Sequence, residues 1–103
     1  MTEERRTCRR YPLTLDLRYQ IKKRKLTVAQ GSGTTCDMSA RSIAFTGSLP
    51  LPLQETTAEV SVDWPIPLDS SPLKLVASGR VIRTDTTRIV VLITRYDFRL
   101  RGA

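Results

Sequence analysis

The sequence predicts an all-β fold, about six antiparallel strands closed into one small barrel. Apolar and polar residues alternate in separate runs, notably Leu13 to Lys22 and Ala58 to Trp64. Short polar or proline-broken connections separate most of these runs. Residues 1–12 carry no apolar stripe at helical spacing, and no helix is expected elsewhere in the chain. Strands so spaced make an antiparallel sandwich or a closed barrel, and closure is favoured because it removes exposed strand edges. The 103 residues suffice for one domain with one modest core.

Residues 1–12 are charged, contain Pro12, and read as an extended basic arm; residues 13–101 read as the barrel. In the first strand Leu13, Leu15, Leu17, Tyr19 and Ile21 face one way and Thr14, Asp16, Arg18, Gln20 and Lys22 the other. Lys22 to Lys25 is a basic turn, and a second strand follows from Leu26 to Gln30. Gly31-Ser32-Gly33 reads as a turn or as a bulge within one interrupted strand. Ile43 to Phe45 resumes the apolar alternation, and the two prolines between Gly47 and Leu53 exclude helix or central strand there. Ala58, Val60, Val62 and Trp64 point inward on the next strand, and Pro65 to Pro72 reads as a proline-broken loop. Leu73 to Thr84 is a long strand bent at Gly79. Asp85 to Thr87 makes a turn. Arg88 to Arg95 is apolar on both faces, which predicts a central, doubly covered strand, with Tyr96 to Arg101 able to extend it.

The net charge of +7 implies an anionic partner more than it implies a fold. The longest apolar run, Ile89 to Ile93, is far below the roughly 20 residues of a membrane-spanning helix. The polar N-terminus has no apolar signal region, so the expected location is cytoplasmic, with no membrane insertion. Histidine is absent and the two cysteines form no Cys-x-x-Cys pair, which argues against zinc and against general base catalysis at neutral pH. The expectation is a protein that is not an enzyme and needs no cofactor.

Two polar patterns carry the functional reading. The first is Arg5-Arg6-Thr7-Cys8-Arg9-Arg10, with an Arg-x-x-x-Arg spacing from Arg6 to Arg10. The second is Asp37-Met38-Ser39-Ala40-Arg41-Ser42. Guanidinium forks recognise phosphates and the O6/N7 edge of guanine, while a carboxylate and a hydroxyl accept from its N–H edge. Together they describe a site for a guanine nucleotide that is bound and left unaltered. The plainer alternatives are a solvated arm and ordinary turn chemistry at Asp37 and Ser39.

These residues, with Tyr11-Pro12-Leu13, Gly79-Arg80-Val81 and Tyr96-Asp97-Phe98, give the chain a resemblance to the PilZ domain, from about residue 4 to residue 100. The resemblance implies a six-stranded antiparallel β-barrel that binds the bacterial second messenger cyclic di-GMP and relays the signal to a downstream protein, as yet unidentified. Arg6 and Arg10 match the family's Arg-x-x-x-Arg motif, and Arg5 matches the arginine often preceding it. Asp37 and Ser39 match the first two positions of its Asp/Asn-x-Ser-x-x-Gly motif. Arg41 is a secondary candidate for phosphate contact. Ser42 departs from the pattern, because the family has Gly there. A Ser forced into positive φ costs about 1 kcal/mol or more. A tenfold loss of affinity takes only about 1.4 kcal/mol.

The implied mechanism folds the arm over the barrel mouth beside Asp37–Ser42, so that the ligand orders it. Two other functions compete. One is a degenerate PilZ domain acting as a nucleotide-independent protein adaptor, with Ser42 as its support. The other is a small basic barrel that binds nucleic acid, a weaker candidate because only 6% of the residues are aromatic and they are scattered.

Overall fold

A computed structural model describes residues 14–47, 56–84 and 87–101 of the chain. The arm at residues 1–12, including Arg5, Arg6 and Arg10, lies outside the described residues, as do 48–55 and the Asp85-Thr86 part of the expected turn.

Six strands account for nearly all of what is described: β1 (Asp16–Lys23), β2 (Leu26–Met38), β3 (Ser42–Thr46), β4 (Thr56–Leu68), β5 (Ser71–Thr84) and β6 (Arg88–Leu100). They form a closed barrel in the order β1-β2-β3-β6-β5-β4, with β4 returning to β1. All neighbours are antiparallel. On five strands the inward set is the apolar set of the alternation: Leu17 and Ile21, Ile43 and Phe45, Ala58, Val60 and Val62, Leu75, Ala77 and Val81, Ile89 and Val91; β2 instead buries Thr35 and Met38. Phe45, at the centre, is fully buried and packs its ring 5.1 Å from that of Tyr19.

Three expectations change. Gly31-Ser32-Gly33 is neither a turn nor an interruption; it lies inside β2, which runs unbroken to Met38. A Cβ on Gly33 would collide with the carbonyl and hydroxyl of Thr46, so the glycine marks a close approach of β2 to the end of β3. Pro65 to Pro72 is not a loop. The chain continues as β4 to Leu68, turns over Asp69-Ser70 and returns as β5 from Ser71. Pairing lapses between Trp64 and Leu68, where the prolines lie. Finally, β6 is not doubly covered. Ile89 and Val91 are buried while Val90 and Leu92 are only half-buried, as expected for a barrel wall with a single interior.

Both two-residue hairpin turns place non-glycine residues at positive φ: Arg24 at 53° and Lys25 at 71°, Asp69 at 48° and Ser70 at 69°. Two successive positive φ values are what the right-handed twist of a tight hairpin selects.

The bend expected at Gly79 is present. The β5–β6 register slips between Ser78 and Gly79, leaving Thr94 as the extra residue on β6. Any Cβ at Gly79 would strike the carbonyl of Leu92. Past this bulge, β4, β5 and β6 continue together beyond the barrel wall as a three-stranded extension.

Candidate functional site

Asp37 is half-buried near the end of β2, and Met38 beside it turns into the core. Cys36 is the extra residue of a bulge in the β2–β3 ladder, since Thr35 pairs with Phe45 and Asp37 with Ala44. The chain then turns over Ser39-Ala40-Arg41 and enters β3 at Ser42.

Ser39 holds this turn together. Its hydroxyl oxygen accepts from the backbone N–H groups of Arg41 and Ser42, each at 3.1 Å. Its own N–H donates to the Ser42 carbonyl at 2.9 Å. The two serine hydroxyls lie 3.5 Å apart. The Arg41 carbonyl accepts from the N–H of Ile93 at 2.7 Å, which fastens the turn to β6. This is the local side-chain-to-backbone bonding for which a serine in a turn is suited.

Asp37, Ser39, Arg41 and Ser42 are thus gathered on one rim of the barrel, with the Arg41 residue exposed. Ser42 opens β3 without a positive φ, so the left-handed strain considered for a serine at a motif glycine is not incurred. How Arg5, Arg6 and Arg10 stand relative to this rim lies outside the described residues.

Beside the turn is a cleft of about 210 Å³. Met38, Ser39 and Ala40 form one side, Leu75 and Ile93 also line it, and Trp64, Tyr96 and Phe98 supply aromatic walls. The Trp64 and Phe98 rings meet edge to face, 5.1 Å apart and inclined at 69°. Tyr96 and Phe98 are 6.3 Å apart at 84°. Tyr96 and Phe98 remain exposed, at 55% and 44%. Apolar walls beside a few convergent polar groups are the usual composition of a small-molecule site.

The sequence reading missed this aromatic group. By sequence alone Trp64 reads as a packing residue and the aromatics as scattered, because β4 and β6 join them only through β5. The available signal was parity: Trp64 continues the inward set of β4, and Tyr96 and Phe98 alternate with Arg95, Asp97 and Arg99.

No family model and no curated protein matches the chain. Among solved structures it is similar to the Bacillus subtilis inhibitor of motility, MotI/DgrA, with a TM-score of 0.64 and 17% sequence identity. The likeness covers 90% of this chain but 44% of that one, so the chain spans less than half the length of that protein. At this identity the likeness concerns architecture: all-β, six antiparallel strands closed into a ring, a PilZ-like barrel.

Proposed function

We propose that this chain is a non-catalytic receptor domain that binds cyclic di-GMP at the Asp37–Ser42 rim and passes the signal to a partner protein. The observation that carries the reading is the convergence of Asp37, Ser39, Arg41 and Ser42 on one turn beside an aromatic cleft, on a PilZ-like barrel. Asp37 accepts from the N1–H and N2–H₂ edge of guanine, and Arg41 meets a phosphate. Arg6 and Arg10 clasp the dianion, and Arg5 serves a second ligand molecule. On this reading the ligand is bound and released unaltered.

Calorimetric titration with cyclic di-GMP tests this. Wild type is expected to bind, and Asp37→Ala and Arg6→Ala each to weaken binding at least about tenfold, the effect of losing a charge-assisted hydrogen bond. Absence of heat with wild type, or equal heat in all three, rejects the receptor.

One observation favours the second reading, a nucleotide-independent adaptor. The Ser39 hydroxyl already accepts two backbone N–H groups of its own turn. In that case wild type gives no heat with cyclic di-GMP, and Ser42→Gly is the variant expected to create binding.

A further inference from the structure

Among the described residues the three-stranded extension beyond the barrel has two open edges, and they are built differently. On one side β1 pairs with β4 only as far as Val62, and β4 runs on to Leu68. That edge carries Pro65 and Pro67, which have no N–H to offer. On the other side β3 pairs with β6 only from Arg88 to Leu92, and Ile93 donates to the Arg41 carbonyl. From Thr94 to Leu100 β6 is bonded to β5 alone among the described residues. This second edge has no proline, glycine or further bulge along Arg95–Leu100.

Arg101 donates its backbone N–H to Pro72 on the β5 side. Alternation along an antiparallel strand then aims the N–H and C=O groups of Tyr96, Phe98 and Leu100 at the open edge. Their side chains form an apolar row with 55%, 44% and 46% exposure. Arg95, Asp97 and Arg99 form the opposite, charged row, in which Arg99 and Asp97 already lie 3.4 Å apart.

We infer that two copies of this chain join through this edge, antiparallel, with Phe98 opposite its own counterpart. This register is self-complementary on the apolar face and at the centre of the charged face. Tyr96 meets Leu100 of the second copy on the apolar face, and Asp97 meets Arg99 on the charged face, each twice by symmetry. Arg95 falls opposite Arg101, whose guanidinium is held by the carbonyls of Trp64 and Leu73 with Asp63 at 4.0 Å. Centring the pair on Asp97 instead sets Asp97 against itself and Arg95 against Arg99, while centring it on Arg99 sets that guanidinium against its own copy and offers Asp97 only Arg101, which is already engaged within its own chain. A chain with a net charge of +7 resists unspecific association, so the register that matches opposite charges is the one that forms. The two-fold closes, and assembly stops at the dimer.

Sedimentation equilibrium on the full chain, without nucleotide, tests the inference separately from the receptor reading. Wild type is expected to dimerise with concentration. Asp97→Arg or Arg99→Asp alone turns both cross-strand pairs repulsive and raises the dimer dissociation constant about tenfold or more. The double variant Asp97→Arg with Arg99→Asp restores association, because the pairs are exchanged. Amide exchange gives a second readout: Tyr96, Phe98 and Leu100 become protected as concentration rises, while Asp97 and Arg99 are protected throughout. A wild type that stays monomeric, single variants that dimerise unchanged, or a double variant that fails to recover overturns the proposal. Protection of Tyr96, Phe98 and Leu100 in a dilute monomer also overturns it, since the edge would then be filled within the chain.

Discussion

Ser39 is the residue on which the candidate site depends most directly, because one hydroxyl oxygen orders two backbone groups. Ser39→Ala leaves the N–H groups of Arg41 and Ser42 without that partner and is expected to destabilise the fold by about 1 kcal/mol, read by urea unfolding. Amide exchange at those two residues should accelerate more than elsewhere. Phe45 sets the contrasting scale of a core residue. Phe45→Ala should cost about 3–5 kcal/mol, because the barrel wall cannot collapse into the space left behind. The motif Asp37-x-Ser39 was legible in the sequence because short polar residues at such spacing fit a turn. The conformation of Ser42 was not. Substitution at a motif glycine suggests positive φ, but here the turn is closed by serine hydrogen bonding and Ser42 has already entered the strand.

At the scale of elements, alternation marks β1, β3 and β4, since one buried face imposes a period of two, while β6 shows in the sequence as an apolar run. Alternation fails where the barrel ends. Proline is a loop signal at 65–72, yet among the described residues β4 has no partner on its outer side beyond Val62, so a missing donor there removes no ladder bond from that side. Apolar residues on both faces of Arg88 to Arg95 suggest two packing layers, whereas Val90 and Leu92, on the outer face, are only half-buried. The two hairpin turns carry strain that can be relieved. Lys25→Gly should stabilise the protein by about 0.5–1 kcal/mol, measured as a raised denaturation midpoint, since glycine adopts positive φ without Cβ crowding. Gly79 works in the opposite sense. Gly79→Ala should destabilise by at least about 1–3 kcal/mol, because its methyl would meet the Leu92 backbone and not a yielding side chain.

At the scale of the whole molecule, charge and closure act together. A net charge of +7 draws a dianion from a distance, so affinity for cyclic di-GMP should fall several-fold between about 0.05 M and about 0.5 M salt. Calorimetry at the two salt concentrations measures it; an unchanged affinity would place the binding energy in stacking instead. The cleft escaped the sequence reading for a reason of the same scale. Trp64 and Phe98 touch only because β5 lies between their strands, pairing Leu73 with Trp64 and Leu75 with Phe98. Such adjacency is a property of the β4–β5–β6 meander and of no single segment.

The shortest stave of that ring is β3, five residues held between two strands of thirteen. A hooped wall parts first at its narrowest plank, and here that plank begins at the rim turn. A molecule gripping the rim would act as a hoop as well as a message: it would slow the opening of the entire cylinder, including seams on the far side that it never touches.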